Sequence, residues 1–255
     1  MASAPTFAAW AIPAIPLIKA GDDLVDILVS RAESAGLQLS DGDVLVIASK
    51  IVAKAEGRYV ALDSVCPSPD AGALAAETGK DPRLVELILS ESQRVSRKRK
   101  GVLVTEHRLG FVSANAGIDQ SNIEDGAEAA LLLPLDPDGS ADRIRAGLRQ
   151  RLGVDLAVVI SDTHGRAFRV GNVGVAIGVS GLPSVQDLRG SRDLYGRVFE
   201  VTQVAYADLV ASAAHLLCGE ADEGLPAVLI RGLDLHSEQG RATDMIRAAK
   251  HDLYR

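Results

Sequence analysis

The sequence is poor in aromatic residues: one Trp, four Tyr and four Phe make up 4% of its 255 positions. Few rings leave few platforms on which the bases of a single-stranded nucleic acid could stack. Cysteine is as scarce, with Cys66 and Cys218 alone. That excludes a disulfide-stapled miniprotein and points to reduced thiols in a cytoplasmic chain. No apolar run approaches the roughly 20 residues that a spanning helix needs, so no membrane partner is expected. The apolar N-terminal stretch 8–18 has no basic residue before it, and Pro13 and Pro16 break the helix of a signal peptide. It reads as a buried strand or turn opening a soluble domain. Basic residues are in deficit, 27 Lys and Arg against 34 Asp and Glu, for a formal charge of -7. Duplex nucleic acid could then be held only by a local basic face, and it is not expected as a partner.

Several motifs are missing too. There is no Gly-x-x-x-x-Gly-Lys-Ser/Thr, no Gly-x-Gly-x-x-Gly after a strand, and the glycines between Gly171 and Gly178 have the wrong spacing for a phosphate cradle. No Gly-x-Ser-x-Gly elbow occurs, and the five histidines show no paired metal spacing.

What is present is a chain with 47% hydrophobic residues, enough for one large core or two modest ones. Periodicity predicts helices over 22–36, from Asp81-Pro82 through Val95, over 140–152 and over 204–217. Short apolar runs predict strands at 44–48, 102–104, 111–112, 156–161, 173–179 and 227–231. Strands that come in neighbouring pairs, rather than one per helix, argue for an α+β fold with mixed or antiparallel sheets and packed helices. The segment 134–139 reads as a surface turn, and the basic run Arg94 to Lys100 as a solvated helix end.

The candidate chemistry lies where apolar segments end. Asp162 and Thr163 follow the clearest strand, where a carboxylate beside a hydroxyl suits a hard cation such as Mg²⁺ or Mn²⁺. An Asx turn or helix N-cap is the plainer reading of an isolated Asp-Thr pair. Arg166 and Arg169 follow closely and offer forks for phosphate or carboxylate. Asp119 and Asn122, three apart after Gly117, could supply a ligand and an amide, or form a polar turn. Ser49 and Lys50 end another strand, with Lys54 placing a second ammonium on the same side of a short turn. The stretch from Cys218 through Glu220 to Gly224 closes a helix with a Gly-rich acidic loop.

In this order, Ile15-Pro16-Leu17-Ile18, Ser49-Lys50-Ile51-Val52-Ala53-Lys54-Ala55-Glu56-Gly57, Gly117-Ile118-Asp119-Gln120-Ser121-Asn122, Ser161-Asp162-Thr163-His164-Gly165-Arg166, Asp187-Leu188-Arg189-Gly190 and Ala207-Asp208-Leu209-Val210-Ala211-Ser212-Ala213-Ala214 resemble the coenzyme F420-0:L-glutamate ligase family over nearly the whole chain. The resemblance implies a GTP-dependent enzyme that adds γ-linked glutamate to a deazaflavin coenzyme in coenzyme F420 biosynthesis. It implies that Asp119, Asp162, Thr163 and Glu220 bind divalent metal, Mg²⁺ or Mn²⁺ and two ions in number, with room for a monovalent cation. It also implies that Ile15, Pro16, Leu17, Ile18, Ser49, Lys50, Lys54, Asn122, Cys218, Gly219, Glu220 and Ala221 contact GTP. Lys50, Asp162 and Arg166 are the residues expected to serve the reaction itself. The partners implied are F420-0, L-glutamate, GTP and a second copy of the chain. Residues 1–255 are expected to form one ligase unit of two intertwined subdomains, without the C-terminal flavin-binding domain that some members carry.

In the implied reaction, the γ-phosphate passes to the substrate carboxylate and the glutamate amine attacks the acyl phosphate, with His164 as a candidate base. Three rivals use the same residues or the basic run. They are a metal-dependent nucleotide phosphohydrolase, a non-catalytic nucleotide-binding protein, and RNA binding through 94–100.

Overall fold

The computed structural model describes residues 4–120, 128–235 and 239–253. At its centre is a five-stranded sheet in the order β1 (Ala8–Ala11), β12 (Ala227–Arg231), β2 (Val44–Ala48), β8 (Ala157–Gly165) and β9 (Asn172–Ser180). β2 and β8 pair in parallel, and the other three pairings are antiparallel. The three inner strands read VLVIA, AVVI and AVLI rather than apolar-polar alternation because both faces of the sheet are covered. Leu45, Ile47, Val158, Ile160 and Leu229 face α1 (Leu24–Ser34) and α5 (Pro137–Leu152). Val44, Val46, Val159, Val228 and Ile230 face α6 (Tyr206–Cys218), whose small residues Ala207, Ala211 and Ala214 let it lie close.

After β2 the chain turns through α2 (Ser49–Ala55) into a second group of elements. These are β3 (Tyr59–Ala61), α3 (Pro69–Thr78), α4 (Pro82–Ser90), β4 (Ser92–Arg99), β5 (Val102–His107), β6 (Val112–Ala114) and β7 (Ala129–Leu131). Their own core contains Leu62, Ala71, Leu84, Val85, Ile88 and Leu103. β4, β5 and β6 form an antiparallel sheet, and β3 pairs with β7. A further two-stranded ribbon joins β10 (Val185–Asp187) to β11 (Gln203–Ala205). The architecture is α+β, as the strand spacing suggests. No helix among the described residues is long and apolar enough to cross a membrane.

Helix starts follow local chemistry. Asp23, Asp81 and Asp136 accept backbone N–H bonds as N-caps, and Pro82 and Pro137 occupy first-turn positions where no N–H is needed. Pro137 therefore begins α5, so half of the expected surface turn 134–139 is helix.

Other expectations need correction. The helix from Asp81 ends at Ser90 rather than running through Val95, and Arg94 to Arg99 lie on β4 instead of a helix end. Pairing with β5 supplies the competing hydrogen bonds, and Arg94 meets Glu106 at 2.6 Å across it. Charges on this edge strand also discourage further strand pairing. Ser49 and Lys50 do not sit in a turn: with no Gly or Pro before Gly57, residues 49–55 continue as helix and bury Ile51 and Val52. The N-terminal segment is an edge strand of alternating exposure, with Trp10 38% exposed, before Ile12 and Ile18 enter the core. Asp162 and Thr163 lie within β8 rather than in a turn, because β9 pairs with it as far as Gly165 opposite Asn172.

Candidate active site

The parallel pair positions the site. In its register Ala48 lies opposite Ser161, so the next residue of each strand faces the same opening. This is the carboxyl end of parallel strands, where sheets leave a crevice. Ser49 Oγ donates to Asp162 Oδ1 at 2.8 Å, and His164 Nε2 lies 3.1 Å from Asp162 Oδ2, so both carboxylate oxygens are engaged. One residue on, Lys50 Nζ meets Asp119 Oδ2 at 2.5 Å. Asp119 is held there by a backbone bridge to Leu131, with N–H···O bonds in both directions.

Strand alternation sends Thr163 to the other face, toward α6. Its Oγ1 lies 2.8 Å from His215 Nε2 and donates to Glu220 Oε1 at 3.2 Å, and His215 Nε2 is 2.8 Å from the same Glu220 oxygen. Lys54, one helical turn after Lys50, is buried on the same side. The loop after α6 depends on Gly219, whose φ is +69° and where a Cβ would fall 2.1 to 2.4 Å from the Glu223 carboxyl group. That carboxylate accepts the N–H of Ala221 at 2.8 Å, closing the loop on itself. Burial, with the Glu220 charge beside it, pushes the Cys218 thiol up to about 11.

Two hollows flank these residues. One, of about 250 Å³, is walled by Ile15 to Ile18, Lys54 and the 218–226 loop. The other, of about 270 Å³, is walled by Gly117 to Asp119 and Leu131 to Leu133. They share Ser49, Lys50, Asp162, Thr163 and Glu220. The residues singled out from sequence thus converge on one place, with three exceptions. Arg166 and Arg169 sit on the exposed segment after β8 and line neither hollow. Asn122 lies outside the described residues.

Sequence reasoning missed His215 and Ser161. The first is a single histidine in an alanine-rich helix, and its only signal is its place one turn before the Cys218-Gly219-Glu220 loop. Ser161 is buried, lines the first hollow, and its Oγ has no hydrogen-bond partner among the described residues.

Asp119, Asp162, Glu220 and Thr163 form a hard-oxygen donor set, the kind Mg²⁺ and Mn²⁺ take. Among the described residues no three His, Cys, Asp or Glu groups already converge on one point. Each acid instead faces a side chain able to carry positive charge: Lys50 on Asp119, His164 on Asp162 and His215 on Glu220. The residues fit a divalent ion in chemistry, and loading one requires these contacts to give way.

A sequence model described as F420-0:gamma-glutamyl ligase matches residues 13–232. The coenzyme F420:L-glutamate ligase of Methanothermobacter thermautotrophicus is 50% identical over 247 residues, covering 96% of this chain and 97% of its own. That of Methanopyrus kandleri is 48% identical over an aligned length of 259, covering 100% of this chain and 100% of its own. That of Methanocaldococcus jannaschii is 41% identical over 242 residues, 94% of each. A match of this extent, over the residues that build the shared strip between the two hollows, places the chain in the F420-0:gamma-glutamyl ligase family.

Proposed function

We propose that this chain joins L-glutamate to coenzyme F420-0 through a γ-glutamyl amide bond, using GTP and divalent metal. The observation that carries the reading is the strip Ser49, Lys50, Asp162, Thr163 and Glu220, common to two adjoining hollows. In this reading GTP is held in the hollow walled by Ile15 to Ile18 and the 218–226 loop. The deazaflavin substrate's terminal carboxylate then enters from the Asp119 side.

In the first step a carboxylate oxygen bonds to the γ-phosphorus as the β,γ P–O bond breaks, giving an acyl phosphate and GDP. In the second the glutamate amine attacks the acyl carbon, phosphate leaves, and the ammonium proton is lost. Lys50 and Lys54 place positive charge beside the transferring group, the largest effect available to phosphoryl transfer. Asp119, Asp162, Thr163 and Glu220 would hold Mg²⁺ or Mn²⁺, which would supply further positive charge beside the phosphate oxygens. Ser49 and His164 hold Asp162 in place. The likeness to the family extends this reading to a cytoplasmic homodimer, which sedimentation tests.

Mass spectrometry of F420-0 incubated with GTP, Mn²⁺ and glutamate tests the reaction: a mass increase of one glutamyl residue, with GDP released, is expected. GDP release that ignores glutamate would make the chain a phosphohydrolase, and intact GTP would make it a binder. Asp162→Asn is expected to lower metal-dependent GDP release by about a hundredfold or more.

A further inference from the structure

Three aromatic rings connect the second group of elements to Asp162. His107, at the end of β5, is fully buried and stacks on Phe111 with ring centroids 4.8 Å apart and planes within 5°. Phe111 in turn meets His164 at 4.8 Å between centroids, tilted by 51°. Both separations are those of favourable ring contacts. His164 is 8% exposed, and its Nε2 faces Asp162 Oδ2 at 3.1 Å.

The far end of the stack is fixed by a hydrogen-bond network. His107 Nδ1 accepts the Leu109 N–H at 3.0 Å, and the His107 N–H donates to the Phe111 carbonyl at 2.8 Å. An accepting Nδ1 leaves the ring proton on Nε2, which lies 3.5 Å from Glu91 Oε2. Glu91 is itself held by Arg58 and Arg108, each at 2.9 Å. Arg58 donates to the Leu133 carbonyl and Arg108 to those of Pro134 and Leu135, just before α5. The rings therefore span two separately packed parts of the molecule.

We infer that Phe111 is a positioning residue for the ligase reaction: clamped on His107, its ring fixes the His164 imidazole and thereby the Asp162 carboxylate. This rests on the function proposed for Asp162. Ser49 anchors one oxygen of that carboxylate through a short side chain on α2. The other oxygen depends on the His164 imidazole, against which the Phe111 ring packs. Without the Phe111 ring, His164 can turn away, and a reacting geometry displaced by a fraction of an ångström costs rate rather than affinity.

The test measures Phe111→Leu with GTP, Mn²⁺, F420-0 and glutamate. A fall in kcat of about tenfold or more is expected, with KM for GTP within about twofold of the parent and Phe111→Tyr restoring most of the rate. In the double variant Phe111→Leu/His164→Ala, kcat should equal that of His164→Ala alone, because Phe111 acts only through His164. In the ligand-free protein the His164 imidazole NMR signals should move in Phe111→Leu and stay in Cys66→Ser. If Phe111→Leu does not fold, Phe111→Met keeps the volume without the ring and is read the same way. An unchanged kcat while Asp162→Asn is inactive would overturn the positioning role alone, as would losses that multiply in the double variant or an unmoved His164 signal. Full activity of Asp162→Asn would instead sink the function proposed for the site.

Discussion

Ser49 and Asp162 are 113 positions apart in the chain, yet Ser49 Oγ donates to Asp162 Oδ1 at 2.8 Å. Two strand ends lying side by side are enough to bring them together, and Ser49 is buried at that point. Ser49→Ala removes one of the two restraints on the carboxylate. Activity is expected to fall about tenfold while stability falls by about 1 kcal/mol, as read from steady-state kinetics and urea unfolding. An unaltered rate would mean that His164 alone holds the acid.

Gly174 lies on β9 directly beneath α6. A Cβ there would stand 2.7 Å from the Ala211 carbonyl oxygen and 2.7 Å from His215 Nδ1. Gly174→Ala should therefore push the helix outward, destabilise by roughly 1–3 kcal/mol, and move His215 away from Thr163. Gly165→Ala serves as the control, since its Cβ would meet only Asn172 Oδ1 at 3.7 Å. Equal unfolding midpoints for the two variants would contradict this packing.

Glu91 gives a pH signature. Burial alone would raise its pKa, but the His107 ring beside it, the hydrogen bond from Arg108 and the charges of Arg108 and Arg58 outweigh that and hold the carboxyl at about 2 against an ordinary 4.5. A depressed value means that the unfolded chain binds this proton first. The stabilisation is complete above about 4.5 and is lost as pH falls toward about 2. Glu91→Gln should be less stable at neutral pH and should show a flatter decline through that window, as urea midpoints against pH would reveal. A decline as steep as the parent's would assign the acid sensitivity to other carboxylates.

The two thiols should react at different rates. Cys66 is exposed, whereas Cys218 is partly buried with its ionisation pushed up to about 11. Because the thiolate is the attacking form, a thiol reagent near neutral pH should modify Cys66 fast and Cys218 slowly, as peptide mass mapping can follow. Denaturation should equalise them. Fast labelling at Cys218 in the folded chain would mean that the loop after α6 opens.

Much of this was legible in the chain itself. The inner strands at 44–48 and 227–231 show as apolar runs because sheets covered on both faces admit little else. Asp81-Pro82 announced its helix through capping chemistry that is wholly local. β4 was hidden because its partner β5 decides its conformation, and a run of Arg and Lys has no strand periodicity of its own. The acids and lysines of the site show as polar residues at the ends of apolar segments, but Asp119 and Asp162 read alone resemble ordinary turns, and only the family motifs decide between the two readings. His215 and the ring stack through Phe111 were invisible, because each depends on contacts between elements distant in sequence.

The position of β12 also bears on synthesis. This strand lies between β1 and β2, although it comes after every other strand in the sequence. A nascent chain that has reached only α6 has no partner for β1 and an open edge on β2. The cleft wall formed by residues 15–18 is tied to the sheet through Ile12, whose N–H donates to the Ala227 carbonyl at 2.9 Å. On the ribosome, the hollow beside residues 15–18 can therefore take its final shape only once β12 has emerged, when about nine-tenths of the polypeptide has been made, so a stalled or truncated chain should present thiols and apolar edges but no finished cleft.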